Sequence, residues 1–204
     1  MHLVCLDLEG VLVPEVWINF AEKTGIDALR LTTRDIPDYD QLMQGRLRIL
    51  AEHKLGLREI QEVISSMQPL PGAEEFLAEL RQSFQVIILS DTFYEFGMPL
   101  MQKIGMPTLF CHKLVVAPDG QITGYKLRQN DPKRHAVVAL KGLNFRVIAA
   151  GDSFNDTSML GTADAGIFFC APDNVVRQFP QFPLTTTYAE LAAKIREASA
   201  SFAP

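Results

Sequence analysis

The sequence is poor in cysteine, in net charge and in long apolar runs, and each shortage closes off a class of protein. Three widely spaced cysteines in 204 residues neither staple a disulfide framework nor supply a metal cluster. Cys5, Cys111 and Cys170 each fall in a strand-like apolar run, so reduced core thiols are expected. With 24 acidic against 19 basic side chains the formal charge is −5, which does not suit neutralisation of a nucleic-acid backbone. Small anionic ligands stay open, because local positive groups matter more than the sum. No stretch approaches the roughly 20 apolar residues of a membrane span, and neither a basic leader nor a cleavable apolar segment precedes the first strand. The expectation is a cytoplasmic protein of one domain, or one domain with a substantial insertion. Composition leaves the oligomeric state open.

What is present is organised around residues 3–13, LVCLDLEGVLV. A short apolar run without alternation suits a strand covered on both faces, as in the parallel sheets of α/β proteins. Asp7 then lies at the strand's carboxyl end, the edge at which open α/β sheets bind ligands. Pro14, placed at a first helical position, opens a segment whose Val16, Trp17, Phe20 and Ala21 share one face and which ends near Gly25. Residues 26–38 are turn-rich (Thr32, Thr33, Asp35, Pro37), and helical patterns follow at 39–53 and 57–67. From Pro71-Gly72 onward helix and strand alternate: helix 72–83, strand 86–89, helix 92–104, strand 108–111. Residues 113–126 read as a hairpin turning at Pro118-Asp119-Gly120. Asp131 as N-cap and Pro132 start a helix to 141, followed by strand 146–150, a short helix at 154–160, strands at 167–170 and 184–186, and a helix at 188–199. The architecture implied is a doubly wound, mostly parallel sheet built from residues 1–13 and 71–204, with a helical insertion at 14–70. An insertion that leaves and returns at one sheet edge is placed to act as a lid.

Three strands carry polar residues at their carboxyl ends: Asp7-Leu8-Glu9-Gly10, Ser90-Asp91-Thr92, and Gly151-Asp152-Ser153-Phe154-Asn155-Asp156. Side by side in one sheet, these groups converge on one crevice, and Ser90 would stand beside a helix N-terminus that favours an anion. Several carboxylates on one edge repel each other unless a cation sits among them. A hard ion such as Mg²⁺, with Asp7 and Asp152 as ligands, resolves this. Phosphoryl transfer needs a nucleophile, positive charge and a proton shuttle; Asp7, Lys133 with the ion, and Glu9 can supply them. Taken singly, each residue also has a plainer reading: a strand-end acid as a turn residue, Ser90-Asp91 as a helix cap, Lys133 as a solvated first-turn lysine.

Taken together, Asp7-Leu8-Glu9-Gly10-Val11-Leu12, Ser90-Asp91-Thr92, Lys133 and Gly151-Asp152-Ser153-Phe154-Asn155-Asp156 resemble the four motifs of the haloacid dehalogenase superfamily of aspartyl-phosphate phosphatases. The small helical cap between the first two motifs is similar to that of the phosphoserine phosphatase group. The resemblance implies Mg²⁺-dependent formation and hydrolysis of a phospho-aspartate on Asp7, with Asp7, Glu9 and Asp152 about the metal and Ser90, Asp91 and Lys133 about the phosphate. Glu9 stands where the usual motif has Asp, which resembles the branch that combines phosphoserine phosphatase with phosphoserine:homoserine phosphotransferase activity. Chemically, homoserine need only replace water in attack on the phospho-aspartate.

A phosphoserine pocket needs a cation for the carboxylate and an anion for the amine. On the 39–53 helix Leu42, Met43, Leu47, Ile49 and Leu50 form one face with Arg46 near its centre, while Arg48 points away. A guanidinium in an apolar stripe needs a partner, either a ligand carboxylate, a protein acid or water reached by snorkelling. Glu15 is the candidate for the amine, or simply a favourable first-turn acid. Asn155 is expected to contact substrate or order the metal loop, and Asp156 to support the metal from behind its ligands. Two rival readings remain: a phosphatase of another small phosphometabolite, and a non-enzymatic phospho-receiver domain with a similar set of strand-end acids.

Overall fold

Residues His2–Leu6 form β1, which pairs in parallel with β2 (Gln85–Phe93) on one side and β5 (Arg146–Gly151) on the other. The computed structural model describes residues 1–32, 35–36 and 38–202. Among them the sheet runs β4-β3-β2-β1-β5-β6-β7, with β3 (Thr108–Val116), β4 (Ile122–Lys126), β6 (Ala165–Phe169) and β7 (Leu184–Thr185). Every pairing is parallel except β3 with β4. The chain winds from β1 to β2 and β3 on one side and then crosses to β5 and β6 on the other. Residues just beyond β1 therefore sit at the topological switch point.

The non-alternating apolar run of β1 is explained by cover on both faces. Val4 and Leu6 join one apolar cluster, and Leu3 and Cys5 the other. The first cluster reaches into α1 (Val16–Thr24), α2 (Tyr39–Glu52) and α3 (Leu57–Ser66), and into α4 (Ala73–Ser83) and α5 (Tyr94–Lys103). The second lies under α6 (Pro132–Gly142), α7 (Thr157–Thr162) and α8 (Asp173–Gln178). The closing helix, α9 (Tyr188–Ser201), returns to the first cluster through Leu191 and Ile195.

The helices between residues 14 and 70 leave and return at one place. The Leu70 N–H donates to the Leu12 carbonyl at 2.9 Å, and the Tyr188 hydroxyl donates to the Val11 carbonyl at 2.7 Å. These helices also lean on the β3–β4 hairpin. Leu57 N–H donates to the Gly120 carbonyl, Tyr125 donates to Asp40, and Tyr39 and Tyr125 meet edge to face at 5.9 Å.

Several boundaries differ from expectation, each for a local reason. Helix α1 begins at Val16 with Glu15 as its N-cap residue, so Pro14 precedes the helix instead of occupying its first position. Strand β2 runs on through Ser90-Asp91-Thr92, with a register shift before Phe93, and α5 starts only at Tyr94. Ser90 and Asp91 therefore do not cap that helix, and Ser90 stands well short of its N-terminus. Asp131 is in the left-handed region at φ 43° and makes no capping bond; its carboxylate is taken by Arg134 at 2.6 Å and Ser158 at 2.8 Å. Residues Phe154–Asp156 form a 3-10 turn ahead of α7, and α8, six residues long, has too little periodicity to announce itself. Cys5 and Cys111 are buried, but Cys170 is exposed just past β6. The thiol expected in the core there is displaced because Phe169 ends the strand. Thr33 and Pro37 of the turn-rich stretch lie outside the described residues.

Candidate active site

The crevice beyond β1, β2 and β5 gathers the three motifs. Asp7 continues the β1 ladder, its N–H donating to the Ala150 carbonyl at 3.0 Å. Its carboxylate is buried and accepts the Leu8 N–H at 2.7 Å. Beyond it the chain turns sharply. Gly10 N–H donates to the Val13 carbonyl, and the N–H groups of Leu12 and Val13 donate to the Leu8 carbonyl. Gly10 is required twice over: its φ is +78°, and a Cβ there would lie 2.4 Å from an Asp152 oxygen. Gly151 plays the matching part on the other strand, since a Cβ on it would lie 2.4 Å from the Asp156 carboxyl carbon. The two glycines let the acids approach the backbone closely.

Lys133 is the buried cation of this corner. Projecting from the first turn of α6, its ammonium lies 2.7 Å from Asp156, 3.0 Å from Asp7 and 3.6 Å from Asp91. Burial alone would drive its pKa down, but Asp156, Asp7 and Asp91 together hold it well above the usual lysine value. For Asp7 the balance tips the other way. Burial, then the charge of Asp156, raises its carboxyl well above the ordinary range, Lys133 pulls down, and Asp152 adds to the rise. Asp156 is fully buried; one oxygen faces Lys133, and the other accepts from the N–H groups of Asp152 and Ser153 and from the Ser153 hydroxyl. One oxygen each from Asp7, Asp152 and Asp156 falls within 4.8 Å of the others. An all-carboxylate donor set of that size suits a hard, oxygen-seeking dication.

Glu9, half-buried, is not among the acids of that cluster. One of its oxygens accepts the Val16 N–H at 2.9 Å and so satisfies a free donor at the start of α1. The Thr92 hydroxyl and the Glu15 carboxyl lie beside it. Burial, then the negative charge of Glu15, pushes Glu9 up to about 7 against the pull of Val16 and Thr92. Arg46 lies close to this pair. It is buried, its guanidinium stacks 4.4 Å above Trp17, and its Nη2 donates to the Leu31 carbonyl at 2.7 Å. Its Nε is buried with no partner among the described residues. Burial lowers its pKa to about 10, with Glu9, Tyr39 and Glu15 pulling upward. Arg48 is exposed, as its position on the helix requires.

Ser90 is buried, and its hydroxyl accepts the Thr92 N–H at 3.2 Å. Asp91, expected among the substrate contacts, has both carboxylate oxygens facing protein partners. Asn155, otherwise exposed, donates to one at 2.9 Å, and His112 Nε2 lies 3.6 Å from the other. Burial would raise the Asp91 pKa, but Lys133, His112 and Asn155 hold it well below the usual carboxylate range. Sequence reasoning placed Trp17 only on an apolar face, quoted Thr92 within a motif without giving it a role, and passed over Tyr39 and His112. Thr92 closes the quoted Ser90-Asp91-Thr92 motif; Tyr39 and His112 carry no local signal and reach the site from α2 and β3.

A hollow of about 550 Å³ at the opposite edge, lined by Leu160, Asp164, Phe182 and Lys194, is not a competing site. Its charged groups are already paired, Asp164 with Arg146 and Lys141, and Lys194 with Glu197.

This arrangement, with an acid at the switch point, a buried lysine and a second acid loop, is that of a known hydrolase class. The haloacid dehalogenase-like hydrolase profile matches residues 1–164, and the chain belongs to that family. It is 63% identical to the phosphoserine phosphatase ThrH of Pseudomonas aeruginosa over 98% of this chain and 97% of that protein. It is 62% identical to a phosphoserine phosphatase of Pseudomonas syringae pv. tomato over 98% of this chain and 84% of the relative. In fold it resembles a substrate-bound phosphoserine phosphatase complex, with a TM-score of 0.76 at 20% identity, covering 95% of this chain and 97% of the other. Membership of a hydrolase family removes the receiver-domain reading. No described helix is long and apolar enough to cross a membrane.

Proposed function

We propose that the chain is a Mg²⁺-dependent phosphoserine phosphatase that works through an aspartyl-phosphate on Asp7 and also passes the phosphoryl group to homoserine. The observation that carries the reading is the buried Asp7 carboxylate at the switch point, 3.0 Å from the Lys133 ammonium. Residues 1–13 and 71–204 form the catalytic core, and residues 14–70 the cap over it. The identity to phosphoserine phosphatases supports the substrate, and the three free thiols support a cytoplasmic setting.

Asp7 and Asp152 would hold the ion, joined by Glu9 through its backbone, because the Glu9 side chain is engaged with Val16. Asp156 supports them from behind, with Lys133 and the loop N–H groups on its own oxygens. When bound, the ion supplies positive charge to the acid cluster and to the non-bridging phosphoryl oxygens. Asp7 attacks phosphorus; the new Asp7–phosphorus bond forms as the bond to the serine oxygen breaks, and that oxygen takes a proton from Glu9. In the second half, water or the homoserine hydroxyl returns a proton to Glu9 and attacks phosphorus, freeing Asp7. Lys133 and Ser90 hold the phosphoryl oxygens. Arg46 receives the substrate carboxylate, Glu15 the amine, and Asn155 contacts the substrate at the rim.

The test is turnover of phosphoserine with Mg²⁺, with and without homoserine, following inorganic phosphate and phosphohomoserine together. Release of phosphate that chelation abolishes, and phosphohomoserine appearing when homoserine is added, are the expected results. Preference for phosphates lacking an α-amino acid group would reverse the substrate choice.

A further inference from the structure

His112 is buried in β3, distant in sequence from every motif, yet its ring lies beside Asp91. Its Nδ1 accepts the Arg128 N–H at 3.0 Å, so in the neutral ring the proton sits on Nε2. Nε2 points at one oxygen of Asp91 across 3.6 Å. The other Asp91 oxygen accepts from Asn155 at 2.9 Å and faces Lys133 at 3.6 Å. The Asp91 carbonyl is also tied, accepting from Tyr39 at 3.2 Å. The groups around His112 are therefore Asp91 and Arg128, with the Tyr39 and Phe93 rings at 6.5 and 6.3 Å.

We infer that His112 is a positioning residue that fixes the Asp91 carboxylate so that Asp91 in turn pins Asn155 over the crevice for substrate recognition. The inference rests on the proposed phosphoserine reading and deepens it. Lys133 keeps Asp156 and Asp7 at shorter range than Asp91, so its alignment survives a slack Asp91. Asn155 is exposed, its amide oxygen accepting from Ser153 in its own loop and its amide nitrogen tied to the core, among the described residues, only through Asp91, so loosening Asp91 weakens recognition more than chemistry. The signature is therefore a rise in KM with kcat nearly kept, whereas loss of folded protein would lower kcat and leave KM alone.

Two substitutions separate the ring's two contacts. In H112Q the side-chain amide reaches the Nε2 position and keeps a donor toward Asp91. In H112N the amide reaches only the Nδ1 position, keeping Arg128 and losing Asp91. With phosphoserine and Mg²⁺, H112N is expected to raise KM about threefold, as befits loss of a long contact to a carboxylate, and H112Q to restore most of it. In a D91N background, H112N should add nothing further, because the path through Asp91 is already cut. Equal KM values for H112N and H112Q, an effect confined to kcat, or an undiminished effect of H112N on D91N would each overturn the inference. A wild-type enzyme that releases no phosphate from phosphoserine would instead sink the functional reading itself.

Discussion

The two halves of the crevice solve the burial of charge in opposite ways. On the core side, Lys133 is surrounded by Asp7, Asp91 and Asp156, and Asp156 has protein donors on both oxygens. On the cap side, Arg46 is also buried but has one backbone carbonyl, the Met43 sulfur, the face of Trp17 and an Nε without a partner among the described residues. Removing a charged group from water without full compensation costs stability. The core half is therefore preorganised for the chemistry common to the family. In the proposed reading, the cap half carries the strain of a cation that would receive a ligand carboxylate. Preorganised charge stabilises a transition state, whereas an under-satisfied cation discriminates among substrates.

The contrast can be broken most severely at Asp7. D7N should cut phosphate release from phosphoserine by more than about 10³-fold without lowering the melting temperature, because one of three crowded acids is neutralised; near-normal turnover would remove Asp7 as nucleophile. The same change of cation to methionine should then act with opposite sign on the two halves. K133M leaves three acids without their cation and should cost about 3–5 kcal/mol in denaturant unfolding along with most of kcat. R46M removes an under-satisfied charge and should leave stability equal or higher by about 1 kcal/mol, while KM for phosphoserine rises about tenfold or more. If R46M destabilises as K133M does, the distinction between the halves fails. G10A, which forces a Cβ against Asp152 at φ +78°, should cost about 1–2 kcal/mol and lower kcat.

The smallest effect is expected far from the crevice. Asp164 gains little from burial, which would raise its pKa; the Val147 N–H, Arg146 and Lys141 hold it below the ordinary value. A depressed carboxyl stabilises the fold above its unfolded pKa and loses that contribution as pH falls through the folded value. D164N should therefore cost no more than about 1 kcal/mol near neutrality, and its melting curve should converge on the wild type in acid. A gap that widens in acid would contradict the assignment.

Legibility in the sequence followed locality. The parallel sheet was readable because β1 is apolar without alternation, and the three acid-bearing strand ends because each motif is contiguous. The helices between residues 14 and 70 were readable because helical periodicity replaces the strand rhythm there. Arg46 stood out because a charge in an apolar stripe is visible on one helix. The end of β2 was misread because Ser-Asp-Thr has cap-like chemistry, and only the pairing with β3 keeps it extended. The side-chain bond from Glu9 to Val16 could not be foreseen, since the glutamate's extra length determines reach and not direction.

By itself, then, the sequence determined which elements form and which polar residues end the strands, because those depend on periodicity and turn chemistry within a few neighbours. Tertiary structure decided which charges are neutralised and which are left wanting. Lys133 comes to Asp7 and Asp156 across the sheet, His112 to Asp91 across two strands, and Arg46 to Trp17 across two cap helices. Electrostatic energy depends on distances through space, and those distances are set only when the sheet order and the return of the cap bring remote segments together.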